Sequence, residues 1–231
     1  MSPNRHCALN TPRPIKPPRQ LFPTVYSFPP NRDTLGGTAY FILKNTGNIL
    51  VDCPPWHEGT TQFLLEHGGV TTLFITHRDA ISNQIAKIQT ALNCDIVIQE
   101  QEAYLIPEAK VSPFQDAWVA EDFEAIWTSG FSPGSSCLYY KKEGGCLFTG
   151  RHLLPNQKGD FQSLRTAKTF HWNRQLQSIT KLIERFEHEN LSYIFPAANT
   201  GFLRGAGYAK EAHNQLIRAF EHSKKQILVS F

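Results

Sequence analysis

The most constraining feature of the sequence is a short apolar segment that leads directly into a helical pattern. Residues 73–75 are apolar and indicate a buried strand. Thr76, His77 and Asp79 follow at once, and apolar residues then recur at helical spacing at positions 81, 85, 88 and 92. Ser82 is placed to cap that helix. A strand that ends in polar residues before a helix predicts an α/β sheet with a ligand site at its carboxyl edge.

His77 and Asp79 have two interpretations at this stage. They either belong to a functional site or satisfy the polar groups of a turn. The sequence from Thr76 to Gln84 resembles the first signature of the metallo-β-lactamase superfamily, Thr-His-x-His-x-Asp-His, whose side chains hold one or two zinc ions. His77 matches the first histidine of that signature. The positions of the other ligands are taken by Asp79, Ile81 and Ser82.

The junction resembles one branch of the superfamily more closely. That branch has Thr-His-Arg-Asp-Asp followed by an Asp-His pair. Ala80 replaces the second aspartate of this pattern, and Asn83 and Gln84 replace the Asp-His pair. Most of the family's metal ligands are therefore absent on either alignment.

Two later segments resemble further signatures of the same family. Residues 128–135 read Thr-Ser-Gly-Phe-Ser-Pro-Gly-Ser, where the family has Thr-Pro-Gly-His-Thr-Pro-Gly-Ser. Phe131 therefore stands in the place of a metal-binding histidine. Residues 148–151 read Phe-Thr-Gly-Arg, where the family has Phe-Thr-Gly-Asp. Arg151 thus replaces an aspartate that bridges two metals in the family, and the charge at this position is reversed.

The first and last parts of the domain also resemble the family. Gly36-Gly37 precedes a hairpin whose second strand ends at Asp52, which the resemblance makes a structural residue at the floor of the site. Residues 196–201 stand where the family has Pro-Gly-His-Gly, so Ala198 or Asn199 replaces the last histidine. These matches follow in family order over residues 35–220. They imply an α/β fold, a four-layer αββα sandwich.

Residues 1–30 differ from the rest of the chain in composition. They hold eight of the 15 prolines and several basic residues, and Asp33 is the first acidic residue of the chain. Such a segment is predicted to be extended or disordered and to form no sheet ladder. The chain is therefore divided into a Pro-rich basic amino-terminal arm, residues 1–30, and a metallo-β-lactamase-like domain, residues 31–231. The arm is either a solvated tail or a docking segment for an acidic partner.

Apolar patterning predicts the remaining elements of the domain. Strands are expected at residues 39–43, 49–52, 95–98, 123–127, 138–140, 146–148, 191–195 and 226–231. Helices are expected at residues 61–67, 100–106, 172–186 and 208–220. Residues 108–122 and 155–171 are expected to be irregular loops.

The ligand set implied by the family is too incomplete for zinc. Zinc takes about four ligands, and catalytic sites supply three of them from protein side chains. His77 is retained and Asp79 is retained by position only, so we predict no metal, no cofactor and no zinc-dependent hydrolysis. We expect Arg151 to pair with Asp52 or Asp79 and to replace the metals electrostatically. The candidate pocket comprises Asp52, His77, Asp79, Arg151, His152 and Asn199.

Two classes of function remain open. The first is a non-catalytic pseudoenzyme that acts as a scaffold or binds a small anion. The second is a hydrolase with a non-zinc or atypical metal mechanism that uses His77, Asp79 or His152, with His77 or His152 as general base. Cys137 is a further candidate nucleophile. If a metal is held after all, His57 and His171 are the alternative ligands.

Charge and cysteine content exclude some partners. A formal net charge of +3 is too weak to indicate nucleic acid. The five cysteines are odd in number and contain no Cys-x-x-Cys pair, which favours reduced thiols in a cytoplasmic compartment. No segment approaches the roughly 20 apolar residues of a membrane span. The remaining partners are a small anionic ligand or another protein.

Overall fold

The computed structural model describes residues 16–228, with side chains as far as residue 224. A seven-stranded sheet, here the first sheet, has its strands side by side in chain order. Its strands are β1 (Arg19–Phe22), β2 (Val25–Ser27), β3 (Tyr40–Ile42), β4 (Ile49–Val51), β5 (Thr72–Phe74), β6 (Asp95–Gln99) and β7 (Val111–Phe114). Neighbours from β1 to β4 are antiparallel, and neighbours from β4 to β7 are parallel.

The second half of the chain supplies a six-stranded sheet, here the second sheet. The strands of this half are β8 (Ala117–Ala120), β9 (Phe123–Trp127), β10 (Ser136–Tyr140), β11 (Cys146–Gly150), β12 (Leu154–Pro155), β13 (Phe161–Gln162), β14 (Tyr193–Pro196) and β15 (Ala209–Lys210). The order across the second sheet is β15-β14-β11-β10-β9-β8, and β12 pairs with β13 separately. β11 and β14 are parallel, so their carboxyl ends lie at the same edge.

Five α-helices accompany the sheets in the part of the chain that the structure describes. They are α1 (Glu58–Glu66), α2 (Ile85–Leu92), α3 (Glu100–Ala103), α4 (Trp172–Arg185) and α5 (Ala212–Leu228). Short 3-10 turns lie at Arg32–Thr34, Arg78–Ala80 and Thr200–Leu203. No helix within residues 16–228 is long and apolar enough to cross a membrane.

Alternation of side chains along the strands builds four layers. One face of the first sheet packs against α1 and α2 and carries Phe41, Leu50, Leu73 and Ile96. The opposite face packs against the second sheet and carries Ile42, Val51, Phe74 and Val97. The outer face of the second sheet packs against α4 and α5 and carries Cys137, Tyr139, Leu147 and Ile194. The predicted α/β class and αββα layering are confirmed.

The two sheets meet at the edge where the candidate residues lie. The backbone N–H of Ser136, at the start of β10, donates to the carbonyl of Thr76, just after β5, at 2.8 Å. The N–H of Thr38 donates to the carbonyl of Ala197, just after β14, at 2.6 Å. These bonds bring the carboxyl ends of β5 and β14 to a single rim, because each joins the first sheet to the second.

The amino-terminal prediction is wrong for residues 19–27. β1 pairs with β2, and β2 pairs with β3, so this part of the arm completes the first sheet. Pro23 lies in the turn between β1 and β2, where a missing backbone N–H removes no ladder hydrogen bond. Residues 1–15 lie outside the described part of the chain. The division of the chain into an arm and a domain at residue 30 stays a prediction.

The other corrections concern segments predicted as loops or ends. Residues 108–122 contain β7 and β8, and Pro113 is accommodated because β7 is an edge strand. Residues 155–171 include the short strand β13. The helix expected from Ser82 begins at Ile85, and the Ser82 hydroxyl instead accepts from the N–H of Gln84 in the preceding turn. Residues 226–228 are helical, since α5 continues to Leu228, and the last three residues lie outside the described range.

Candidate functional site

Asp52 lies at the edge where the two sheets meet and is hydrogen-bonded to Thr76, at the end of the neighbouring strand β5. It follows β4 and is 4% exposed. Its Oδ1 accepts from the backbone N–H and the hydroxyl of Thr76, both at 2.8 Å, and its Oδ2 also lies 2.8 Å from that hydroxyl. Burial raises the pKa of Asp52 to about 7, although the bonds from Thr76 oppose the rise. The carboxyl group therefore joins β4 to β5 and is engaged internally.

His77 is buried beside Phe131, and its ring makes no hydrogen bond within the described part of the chain. It follows β5 and is 1% exposed. Neither nitrogen has a hydrogen-bond partner among the described residues. The ring centroid lies 5.0 Å from that of Phe131, the residue that stands where the family has a histidine. Burial, reinforced by the charge of Arg151, lowers the pKa of His77 to about 3, so the imidazole is neutral near pH 7.

Arg151 holds the loop before β3 and forms no ion pair with any residue that the structure describes. Its Nη2 donates to the carbonyl of Thr34 at 3.2 Å and to that of Leu35 at 2.8 Å. Its Nε is buried without a partner in residues 16–224. Within the same residues, no carboxylate lies within 4.0 Å of the guanidinium. The predicted pairing with Asp52 or Asp79 is therefore wrong.

The physical reason is that the Asp52 oxygens already accept bonds from Thr76, whereas the two loop carbonyls need donors. Arg151 nevertheless influences the site through its field. Its charge lowers the pKa of both Asp52 and His77, after the larger effect of burial on each. The guanidinium thus lies near both groups without an ion pair to the Asp52 carboxylate.

The remaining predicted residues lie in different surroundings. Asp79 is half-buried in the 3-10 turn next to His77. Asn199 is exposed, and its amide donates to the Pro155 carbonyl at 3.5 Å. His152 is fully buried, and its backbone carbonyl accepts from Gln175 of α4 at 3.0 Å. The structure therefore groups Asp52, His77 and Arg151, with Asp79 beside them.

His152 belongs to the interface between β11 and α4. Both of its ring nitrogens lack a partner among the described residues. Burial alone lowers its pKa to about 3, whereas the charge of Arg151 also contributes at His77. The two histidines are thus separate features, one at the rim and one beneath α4.

Glu102 is a buried residue that was not predicted from the sequence to belong to the site. It lies against the loop that carries Phe131. It is 1% exposed, and no hydrogen bond of standard geometry reaches its carboxylate in the described part of the chain. Burial raises its pKa, and the hydroxyl of Ser132 and the backbone of Gly134 oppose that rise. A glutamate in a short helix carries no sequence signal for such burial. Its contacts come from a loop about thirty residues further along the chain.

Comparison with known proteins rests on structure. No family model matches the sequence, and no curated protein matches it. A metallo-beta-lactamase family protein from Thermus thermophilus superposes with a TM-score of 0.64 at 16% identity, over 91% of this chain and 82% of that one. A B3 metallo-beta-lactamase with an active-site glutamic acid gives 0.61 at 12% identity, over 92% and 89%.

The chain has the metallo-β-lactamase fold. A third solved structure with this fold is an N-acyl homoserine lactone hydrolase whose product is bound at the catalytic metal center. It gives a TM-score of 0.56 at 16% identity, over 75% of this chain and 92% of that one.

The residues of this metallo-β-lactamase fold do not fit the metal centre that the fold implies. Among the residues that the structure describes, no three His, Cys, Asp or Glu side chains come together as a ligand set. His77 has Phe131 as its neighbour, and the Asp52 oxygens are occupied by Thr76. Neither the phenylalanine at position 131 nor the protonated guanidinium at position 151 has a lone pair for a metal. No chemical step is therefore derived through a metal ion.

The buried ring of His152 makes a stability prediction. In the unfolded chain this histidine takes up a proton below pH 6.5, whereas in the folded chain it stays neutral down to about pH 3. The free energy of unfolding therefore falls as the pH falls from 6.5 to about 3. His152→Leu removes this penalty and fills a similar volume. We expect the variant to match the parent at pH 7.5 and to exceed it by about 2 kcal/mol at pH 5.

Urea unfolding at the two pH values measures this difference. His188→Leu is the matched control, because the His188 side chain is 90% exposed and needs no partner in the fold. An equal gain at pH 5 in both variants, or none in His152→Leu, would contradict a neutral buried His152.

Proposed function

We propose that this chain, which has the metallo-β-lactamase fold, is a non-catalytic protein. We propose that it binds a small anion at the position where the fold implies a metal centre. The observation that carries the proposal is the Arg151 guanidinium, which lies at the end of β11, is partly exposed, and uses only Nη2 in the hydrogen bonds described within residues 16–224. An always-protonated fork with a free donor is suited to an oxyanion.

The charge balance of the site supports the same conclusion. Arg151 and Arg78 both lower the pKa of His77, so two cations act on the rim. Asp79 and Asp52 offset them only in part, since the Asp52 pKa of about 7 leaves that group substantially protonated at neutral pH. An anion at the exposed part of the Arg151 guanidinium would therefore meet positive potential.

The hydrolase alternative has less support from this geometry. The candidate general bases, His77 and His152, are 1% and 0% exposed, so neither ring reaches solvent water. Cys137 is fully buried on β10, and burial raises the pKa of its thiol to about 12. A thiol with that pKa is not a nucleophilic thiolate near pH 7. The proposal therefore places the chain in the non-catalytic class.

Sulfate is a suitable probe, because its charge is constant across neutral pH. We expect sulfate to raise the melting temperature of the parent, corresponding to about 2.7 kcal/mol when its concentration is 100 times Kd. Binding should tighten as pH falls from 8 to 6, since a bound anion favours protonated Asp52, whose pKa is about 7. Calorimetric titration at the two pH values measures the affinity.

Arg151→Met tests whether Arg151 binds sulfate. The substitution also removes the donor to the two loop carbonyls, so the melting temperature of each variant is compared with that of the same variant without sulfate. We expect this variant to lose the sulfate response. Arg218→Met is the control, since Arg218 is 54% exposed and lies on α5. A sulfate response that survives in Arg151→Met, or one that is absent from the parent, would contradict the proposal.

A further inference from the structure

A cavity lies on the outer face of the second sheet, between the end of β9 and α4. Its volume is about 400 Å³, within the range of small-molecule sites. It is lined by Trp127, Ser129, Arg174, Gln177, Ser178 and Lys181. None of these residues belongs to the Arg151 site, so this cavity is a separate feature of the molecule.

The α4 wall of the cavity is cationic. Arg174, Gln177, Ser178 and Lys181 follow one another at close spacings along one face of the helix. No carboxylate is among the described residues that line it. On the next turn of α4, Arg185 engages Glu124 at 2.6 Å and Glu189 at 2.7 Å, so those acidic groups are already paired. The wall therefore presents two cations to the cavity.

The lysine is held at the cavity by the strand end. Its Nζ donates to the backbone carbonyl of Trp127 at 3.2 Å. An ammonium group has three donors, so Lys181 can keep this bond and still donate to an anion. Arg174 lies in the first turn of α4, where the helix dipole adds positive potential.

Trp127 supplies the apolar part of the cavity. Its indole N–H donates to the Pro133 carbonyl at 2.9 Å, which fixes the ring and uses its only donor. The side chain is half-buried, so part of the ring remains uncovered. Ser129 is 6% exposed, and its hydroxyl has no partner in the described part of the chain. The cavity thus combines a fixed aromatic surface with two cations.

From this combination we infer that the cavity binds a small planar aromatic oxyanion, a ring that bears a carboxylate or a phosphate ester. The ring packs against the indole of Trp127, and the anionic group pairs with Arg174 and Lys181. A neutral aromatic compound lacks the second interaction, and an inorganic anion lacks the first. Both parts of the ligand are therefore required.

Calorimetric titration with 1-naphthoate and 1-naphthyl phosphate tests the inference, and 1-naphthalenemethanol is the uncharged comparison. We expect at least one of the two anions to bind, and the alcohol to bind at least tenfold more weakly. Which of the two binds more tightly identifies the preferred anionic group. Failure of both anions to bind, or equal binding of the alcohol, would overturn the inference.

Variants assign the binding to this cavity. Lys181→Met combined with Arg174→Met removes both charges and keeps an unbranched flexible side chain at each position, and both positions are exposed, so folding should persist. We expect affinity to fall at least tenfold, whereas the exposed control Lys158→Met leaves it unchanged. Arg151→Met should also leave it unchanged, which separates this site from the proposed sulfate site. Unchanged affinity in the double variant, or loss only in Arg151→Met, would overturn the assignment.

Discussion

Removal of residues 1–28 is expected to abolish cooperative folding. The truncation deletes β1 and β2 from the first sheet and removes Val25 and Phe28, which are 0% and 3% exposed. It also removes Phe22, whose ring lies 4.8 Å from Tyr193 and 5.8 Å from Phe195 of the second sheet. The combined loss should exceed about 5 kcal/mol, which is comparable to the whole stability of many domains.

A truncation that ends at Ile15 is the matched control, because it retains every contact described for β1 and β2. Thermal melts followed by circular dichroism compare the two chains. A cooperative transition in the shorter chain, within a few degrees of the control, would show that β1 and β2 are dispensable.

Gly130→Ala is expected to destabilise the fold by about 3 kcal/mol or more. Gly130 has φ +147°, a conformation that side chains rarely adopt, and a Cβ there would lie 2.3 Å from the Cα of Gln175 and 2.5 Å from its backbone N. The clash is with the backbone of α4, so no side-chain rotation relieves it. The Gly130 carbonyl also accepts from His171 at the start of the same helix, at 3.0 Å.

The control for this substitution is Gly201→Ala. Gly201 lies in the 3-10 turn Thr200–Leu203, and nothing lies within 4 Å of a Cβ built on it. Urea unfolding should give a difference below about 0.5 kcal/mol between Gly201→Ala and the parent. Equal stability of the two alanine variants would mean that the loop and α4 do not touch as described.

Local sequence signals predicted the elements that organise the fold. The short apolar segments of β3 and β4, and the helical spacing of α4, predicted the positions of these elements. β1 and β7 were missed because prolines in or beside them outweighed the apolar signal. Both strands lie at sheet edges, where the constraint on proline is relaxed.

Some members of the candidate site were predictable and their contacts were not, since His152 and Asn199 lie in other surroundings. Strand ends placed Asp52, His77 and Arg151 near one another, because parallel strands share an edge. Charge balance alone then suggested an ion pair for Arg151. The actual acceptors are backbone carbonyls of Thr34 and Leu35, more than one hundred positions away in sequence. Carbonyls carry no residue-type signal, so such a partner is visible only in three dimensions.

The bonds from Arg151 to the loop have a consequence for substitutions at this position. In this fold, exchange of one residue for the family aspartate would not recover a metal ligand without loss elsewhere. Arg151→Asp would leave the carbonyls of Thr34 and Leu35 without their donor and would add a negative charge near buried Asp52. Phe131 would still lack a ligand atom. Arg151→Asp alone is therefore expected to give a less stable protein that still lacks a complete ligand set.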